Sequence, residues 1–397
     1  GVVTAVSSSN GLLATGEQYG LPACATIANL FVDVDLFGDT TRPVSKLVVA
    51  SLSDAWWIDQ MVANSVFISY SDMNQSFIKQ PDGSYTAPVN FPNTLTLTAG
   101  LYTLTTPQGL KTNFNASGQI SSMVYPNGIT VAYGYTGGDL TTISNGLGRT
   151  LTLSYTSGRL SGVTDGTGRS VSYTVDGSAN LTKFTDANSK DHTYEYDQPG
   201  RLIKHFEPAF PAVPFVTNVY DSLSRIMTQA DPYGHVSSLY AAGSRSHVVD
   251  PLGNTLTRYF NKLGAVTLAI DGLGNKTQTI LDGLNRRAQV IQPEGNKVVT
   301  TFDKNDNPLT VTYVAKSGSG LSNIVRSFTY DPTWAKVNND VDGMGNTTVY
   351  SYDAVTGDLL TIQRPVVGGF TPTVTMTWNA RGQMLTRADE TAIVTKF

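Results

Sequence analysis

The four histidines of this sequence are the side chains most suited to proton transfer or metal binding: His192, His205, His235 and His247. His192 and His235 fall at or just after predicted turns, at positions that carry Asn, Arg or Lys elsewhere. A hydrolytic nucleophile needs a base within hydrogen-bond reach, and a zinc site needs Cys and His ligands placed close together. The sequence indicates no such cluster. We therefore interpret the histidines as strand or turn residues and predict no catalytic residue, no metal and no cofactor.

Carboxylates are the other side chains of this sequence that could bind a cation or take part in catalysis, and there are 31 Asp and Glu residues. Recurring Asp-x-x-Gly-Asn segments could supply oxygen ligands for Ca²⁺. Each occurrence offers about one carboxylate, so we interpret them as structural turns and keep cation binding as the alternative. Two converging carboxylates could hydrolyse a glycoside. Most of the acidic residues occupy repeated turn positions, so we predict that the chain is not an enzyme.

Composition favours a β-protein with many turns. The 397 residues include 37 Gly, 19 Tyr and 15 Phe, and only 15% are charged, against roughly 25% in an ordinary soluble domain. The net charge of −4 and the pI of about 5.6 argue against a nucleic-acid partner. The longest apolar stretches are too short for a transmembrane helix. The single cysteine, Cys24, has no disulfide partner and is interpreted as a small buried apolar residue.

A ladder of aromatic or apolar residues, each followed by a small residue, runs through the chain in steps of 20 to 28 residues. Asp follows at several of these positions, including Asp197, Asp221 and Asp353. A spacing kept over thirteen positions indicates tandem repeats. The ladder consists of Phe114, Tyr135, Tyr155, Val175, Tyr196, Tyr220, Tyr240, Phe260, Leu281, Phe302, Tyr330, Tyr352 and Trp378.

A second turn motif, Asp-x-x-Gly-Asn, lies between ladder positions. Its Asp can accept a hydrogen bond from the backbone two residues later, and its Gly supplies a positive φ. Each repeat therefore contains two tight turns and two short strands. The clearest copies are Asp250, Gly253 and Asn254; Asp271, Gly274 and Asn275; and Asp342, Gly345 and Asn346.

Strand alternation supports this interpretation. Leu151, Leu153 and Tyr155 share one strand face. In the next strand, Leu160 and Val163 are three residues apart and would lie on opposite faces, which indicates a bulge or a strand with two apolar faces. One hairpin of twenty residues is marginally stable in water. Neighbouring hairpins must therefore pair their edges, and the resulting sheet must twist.

These motifs resemble the YD or Rhs repeat family. Tyr196, Asp197, Gly200, Arg201 and Leu202 follow the first half of its consensus, and the Asp-x-x-Gly-Asn turns follow the second. The resemblance implies an all-β fold in which tandem hairpins form a twisted, spiralling sheet, part of a hollow shell. Members include bacterial polymorphic toxins, shell components of insecticidal toxin complexes, wall-associated proteins and teneurins.

We expect three regions in the chain. Residues 1–53 are expected to be a cap or the remnant of an upstream domain, in which 48–54 could end a strand. Residues 54–100 are expected to form a β-rich region that precedes the repeats. Residues 101–397 are expected to hold the repeats, with inserts near 207–215, 315–325 and 365–372.

The expected function is structural. We expect a β-shell segment of a larger secreted or surface-delivered bacterial protein, which encloses or presents a C-terminal effector not present in this chain. Its partners would be that effector or other segments of the same polypeptide. The alternative is an extracellular adhesin or wall-associated protein that binds carbohydrate or protein through the outer face of the ribbon. A third and weaker alternative is a carbohydrate-active enzyme on a β-scaffold.

Overall fold

The computed structural model describes residues 3–5, 32, 34, 43–70, 73–80, 82–88 and 92–397. Cys24 and most of the expected cap lie outside the described residues. Helix α1 (Pro43–Ala63) crosses the boundary expected between residues 53 and 54. The prediction that 48–54 ends a strand is therefore wrong: a short apolar run does not separate helix from strand, whereas Pro at the first helical position and 20 further residues without Gly or Pro favour a helix. No described helix has the length and apolar character needed to cross a membrane.

A small antiparallel sheet of four strands, in the order β1-β2-β3-β4, lies at the start of the described chain. Its strands are β1 (Val3–Ala5), β2 (Ser65–Tyr70), β3 (Met73–Lys79) and β4 (Tyr85–Thr86). This sheet contributes Val66, Ile68 and Phe77 to a compact hydrophobic core that also includes residues of the following strands: Leu95, Tyr102, Leu104 and Phe114. Sheet and following strands thus share one core.

The rest of the chain forms one antiparallel sheet of 29 strands, β5 to β33, here called the ribbon, in which each strand pairs with the next along the sequence. The strands of its first half are β5 (Thr94–Thr98), β6 (Leu101–Thr105), β7 (Lys111–Phe114), β8 (Ile120–Val124), β9 (Thr130–Thr136), β10 (Asp139–Ser144), β11 (Thr150–Thr156), β12 (Arg159–Thr164), β13 (Ser170–Val175), β14 (Leu181–Thr185), β15 (Asp191–Gln198), β16 (Arg201–Phe206), β17 (Val216–Tyr220), β18 (Ile226–Ala230) and β19 (Val236–Ala242). Those of its second half are β20 (Arg245–Val249), β21 (Thr255–Phe260), β22 (Val266–Ile270), β23 (Lys276–Leu281), β24 (Arg287–Ile291), β25 (Lys297–Phe302), β26 (Pro308–Val314), β27 (Ile324–Tyr330), β28 (Val337–Val341), β29 (Thr347–Tyr352), β30 (Leu359–Gln363), β31 (Thr373–Trp378), β32 (Met384–Ala388) and β33 (Val394–Lys396). The all-β fold of tandem hairpins predicted from the sequence is confirmed.

The ribbon begins at Thr94, before the expected start of the repeats at residue 101. The three expected inserts coincide with long connections between strands. Residues 207–215 join β16 to β17, residues 315–323 join β26 to β27, and residues 364–372 join β30 to β31.

A β-bulge recurs beside the ladder residues. Tyr155 pairs with Leu160 while Ser154 pairs with Gly162, so Ser161 is an extra residue in β12. This is the bulge indicated by the positions of Leu160 and Val163. The same shift of register accompanies Phe114, Tyr135, Val175, Tyr196, Tyr220, Phe260, Leu281, Phe302, Tyr330, Tyr352 and Trp378.

Most of the ribbon is a single layer. Between residues 115 and 333, all of which are described, the buried residues are Asn180, Asn218 and Thr257, and none is apolar. A sheet packed against a second layer would bury one apolar face. Both faces of this part of the ribbon therefore remain partly accessible.

The ribbon coils back on itself. Trp334, in the turn between β27 and β28, is 9% exposed and packs against Gly109 in the turn between β6 and β7. A methyl group at Gly109 would lie 2.8 Å from Cζ3 of Trp334, and one at Gly382 would lie 2.1 Å from Nδ2 of Asn127. These turns belong to opposite edges of the ribbon, so two successive coils meet edge to edge in what we call the seam. No ladder joins β5 to β33, both of which are described, so the coil is an open spiral.

Candidate functional site

The hydroxyl groups of the ladder tyrosines tie each repeat to the one before it. Tyr155 donates a hydrogen bond to the carbonyl of Leu140 at 2.8 Å, and Leu140 is the residue paired with Tyr135 at the previous bulge. A bulge disrupts the local ladder of backbone hydrogen bonds, so this carbonyl needs another donor. Equivalent bonds run from Tyr135 to Ile120, Tyr196 to Leu181, Tyr220 to Leu202, Tyr330 to Pro308 and Tyr352 to Val337, and from the indole of Trp378 to Leu359.

One ladder position departs from this pattern. Tyr240 lies in β19, which pairs with β20 without a shift of register, and its side chain is largely exposed. Gly243 and Ser244 connect these two strands directly. Without a bulge, no backbone carbonyl at this position loses its hydrogen bond to the neighbouring strand. A neighbouring ladder residue therefore has no free carbonyl to which its side chain could donate.

The Asp residues of both turn types organise the turn backbone. In the turn at Asp250, the carboxylate Oδ1 accepts hydrogen bonds from the backbone N–H groups of Leu252 and Asn254, while Oδ2 accepts one from the Asn254 side chain. Gly253 holds φ at 86°. The same three bonds are present at Asp271 with Asn275 and at Asp342 with Asn346, next to Gly274 and Gly345.

These bonds hold the turn carboxylates in their ionised form. The Asn254 amide and the two backbone donors hold the pKa of Asp250 below its ordinary value. The pKa values of Asp271 and Asp342 are lowered in the same way, with the largest effect from the side chains of Asn275 and Asn346. In the turn at Asp353, the backbone N–H groups of Thr356 and Val355 lower the pKa of that carboxyl. Each carboxylate thus accepts hydrogen bonds from its own turn, which leaves few oxygen lone pairs to bind a cation.

The Tyr-Asp motif adds a contact to the next repeat. Arg201 donates from Nε and Nη2 to the two carboxylate oxygens of Asp197, at 2.8 and 2.6 Å, and this ion pair lowers the pKa of Asp197. Gly200, with φ at 75°, lies in the tight turn before Arg201. The guanidinium of Arg201 also lies 5.3 Å from the ring centre of Tyr220, the next ladder residue. Arg225 donates from Nε to a single carboxylate oxygen of Asp221, Oδ2, and from Nη1 to the carbonyl of Ala241.

A different group of side chains comes together between β15 and β16. Nδ1 of His192 lies 3.0 Å from Oε2 of Glu207, and Nε2 of His205 lies 3.3 Å from Oε1 of the same carboxylate. One ligand atom from each of the three residues falls within 4.8 Å of the other two. We call these three residues the His-His-Glu cluster. The sequence indicated no cluster of metal-ligating residues, and the structure corrects this expectation.

Strand pairing explains how the cluster forms. Tyr194 pairs with His205 across β15 and β16, which places His192 on the same strand face near the end of β16. Glu207 follows two residues after His205 and so shares its side of the strand. The sequence motif that points to this cluster is His205-x-Glu207. His192 joins these two residues only because of the strand register of the β15–β16 hairpin. Register across a bulged hairpin cannot be counted from residue spacing alone.

Aromatic rings flank the cluster. Phe184 lies 5.4 Å from His192, and Tyr194 lies 4.9 Å from His205 with nearly parallel rings. Phe215 packs edge-on against His205, and its backbone N–H donates to the carbonyl of His205 at 2.8 Å. The side chains of His192, His205 and Glu207 are all partly buried. The other two histidines lie elsewhere: His235 contacts Asp231 in an exposed turn, and His247 contacts Thr257.

Comparison with known proteins gives a match in structure and none in sequence. No protein-family model and no curated protein matches the chain. The crystal structure of TcdB2-TccC3 without its hypervariable C-terminal region is similar over 87% of this chain, with a TM-score of 0.50 and 12% identity. The chain shares its fold with a segment of TcdB2-TccC3. That likeness supports the Rhs-like repeat fold that the sequence predicts.

The shared segment is a small part of the larger protein. This chain covers 22% of the TcdB2-TccC3 chain. The Photorhabdus luminescens Tc holotoxin pore matches over 82% of this chain, with a TM-score of 0.44 and 9% identity, and the chain covers 23% of it. At these identities, the likeness to TcdB2-TccC3 concerns the fold.

Proposed function

We propose that this chain is a segment of the β-shell of a large secreted bacterial protein of the toxin-complex type, and that the shell encloses or presents an effector segment of the same polypeptide. The observation that carries the proposal is the single-layer ribbon coiled on itself. A soluble protein that builds so large a sheet without filling its apolar faces leaves room for another chain.

The dimensions support an enclosing role. Residues at the seam are separated by roughly twenty strands, and at about 4.8 Å per strand such a coil measures on the order of 100 Å around. The backbone would then enclose a space on the order of 30 Å across, which suits an extended or partly folded segment better than a large folded domain. The chain's own contribution in this proposal is steric, without a catalytic step.

Exposed apolar residues along one ribbon edge support contact with further segments of the polypeptide. Tyr233, Leu252 and Leu273 occupy the same position in three successive turns on that edge and are 84%, 88% and 89% exposed. Successive turns on one edge are two strands apart, or about 10 Å, so these side chains form a row. Such a row is suited to packing against the edge of another coil, as the seam does at Trp334.

Protease protection of the full gene product tests the proposal. The complete open reading frame is expressed, and a specific protease site is inserted in the proposed effector segment. We expect cleavage at that site to be slow in the native protein and fast once urea unfolds the ribbon. A matched site in the exposed connection at residues 316–320 should be cut at once in both conditions. Equal native cleavage at both sites would contradict enclosure, and capture of cell-surface carbohydrate by the intact protein would instead favour the adhesin.

A further inference from the structure

We propose that His192, His205 and Glu207 form a Zn²⁺ site that fixes the long connection after β16 to the ribbon. Nδ1 of His192 and Nε2 of His205 are the ring nitrogens that face the carboxylate oxygens of Glu207, and these are the proposed ligand atoms. Two imidazoles and one carboxylate are a ligand set that zinc takes in proteins, with a water in the fourth position. The inference is independent of what the shell encloses.

The spacing of the three ligands suits the ion. Zinc bonds to nitrogen and oxygen are about 2.0 to 2.2 Å long, so tetrahedral ligand atoms lie about 3.3 Å apart. Nδ1 of His192 lies 3.0 Å from one carboxylate oxygen of Glu207 and Nε2 of His205 lies 3.3 Å from the other, while one ligand atom from each residue falls within 4.8 Å of the other two. Side-chain rotation within the cluster would bring the three ligand atoms to the tetrahedral spacing. Two of the ligands lie on neighbouring paired strands, which limits the movement needed.

His205 provides independent evidence for a missing partner. Its Nε2 atom is fully shielded from solvent and has no hydrogen bond, although Glu207 lies nearby, because the geometry of that contact is unfavourable. A buried ring nitrogen without a partner is unfavourable, and such atoms in proteins usually have one. A metal ion between His205 and Glu207 would supply it.

The site lies where both ends of the connection meet the sheet. Glu207 is the first residue of this connection, and Phe215, the last, is bonded to the backbone of His205. Pro208, Pro211 and Pro214 leave the intervening backbone few donors, and the segment makes two local turns with Phe210 exposed. A bound ion joining Glu207 to β15 and β16 would hold the start of this segment against the sheet.

Calorimetric titration with ZnCl₂ tests the inference on the full chain freed of metal with a chelator. We expect one saturable site per chain with a Kd of micromolar or below. His192→Gln, His205→Gln and Glu207→Gln should each weaken binding at least tenfold, while far-UV circular dichroism stays that of the wild type. His235→Gln is the matched control, because His235 also contacts a carboxylate but lies in an exposed turn, and its affinity should stay within twofold.

A second measurement separates a metal site from a simple ion pair of His192 with Glu207. Zinc should slow proteolysis within residues 208–214 at least threefold in the wild type and have no effect in His205→Gln. The ion pair does not need His205 and predicts no response to zinc in either protein. Absence of one-to-one binding, unchanged binding in the three variants, or equal loss in His235→Gln would each overturn the inference.

Discussion

The hydroxyl of Tyr155 lies 2.8 Å from the backbone carbonyl of Leu140, fifteen residues earlier in the chain. The bond joins two repeats at the bulge of the first. Because the same relationship recurs along the ribbon, the bulge and the tyrosine form one structural unit: the bulge interrupts the sheet, and the next repeat completes the hydrogen bonding. This explains why a residue chosen for an apolar strand face is so often Tyr and not Phe.

Replacing Tyr155 by Phe should destabilise the protein by about 1 kcal/mol, because it removes one hydrogen bond to a partly buried carbonyl and leaves the ring in place. Urea unfolding followed by circular dichroism measures the change. Tyr240→Phe is the control, since Tyr240 occupies a ladder position without a bulge and no described residue accepts a bond from its hydroxyl. Equal effects of the two substitutions would contradict the assigned role of the tyrosine hydroxyl.

Replacing Gly253 by Ala should destabilise the protein by about 1 to 2 kcal/mol, since its φ of 86° is unfavourable for a residue with a Cβ atom. There is open space around that position, so no steric clash contributes. Gly283 lies in the analogous turn at Asp282 with an ordinary φ and equally open surroundings, and there Asn285 adopts the positive φ. Gly283→Ala should therefore be neutral or slightly stabilising in the same thermal or urea unfolding assay.

Stability should fall below about pH 4. The turn bonds lower the pKa of Asp250, Asp271 and Asp342 in the folded protein, so the unfolded chain binds protons at a higher pH than the folded one does. The stabilising effect of these turn bonds is complete when the pH is above the pKa that the carboxyls have in the unfolded chain. It is lost as the pH drops through the lower pKa that they have in the folded protein. Urea midpoints between pH 2.5 and pH 7 measure this. Asp250→Asn should weaken the dependence, and an unchanged dependence in that variant would contradict the assigned role of the turn carboxylates.

Replacing Trp334 by Ala should loosen the seam. The substitution removes a large buried side chain and should destabilise the protein by about 3 kcal/mol. Because Trp334 bridges two coils of the ribbon, small-angle X-ray scattering should also show a greater maximum dimension. Trp56→Ala, on the partly exposed face of α1, should change neither the dimension nor the sheet content. An unchanged dimension in Trp334→Ala would show that other contacts hold the seam.

The repeat and its turns could be predicted from the sequence because their determinants are local. Asp250, Gly253 and Asn254 specify a turn within five residues, and the alternation of Leu151, Leu153 and Tyr155 specifies a strand face. The placement of Leu160 and Val163 on opposite faces indicated a bulge or a strand with two apolar faces, and the structure shows the bulge. Helix α1 was missed because its short apolar runs fit a strand as well as a helix.

The remaining features depend on contacts distant in sequence. The packing of Trp334 on Gly109 depends on the accumulated twist of the strands between them, which no local pattern encodes. The His-His-Glu cluster depends on the register across one bulged hairpin, and a shift by one residue would turn His192 to the opposite face. Neither feature can be predicted from local sequence patterns.

Strand order in the ribbon equals chain order from β5 to β33, and this has a consequence for biogenesis. Each newly synthesised hairpin finds its docking edge already completed by the hairpin before it, so strand pairing in the ribbon never requires a partner hundreds of residues away. The nascent protein can therefore pair its strands vectorially, and the contact of Trp334 with Gly109 forms once the later coil reaches the earlier one. Slowing translation midway should leave a native-like, shorter spiral attached to the ribosome and not a collapsed intermediate.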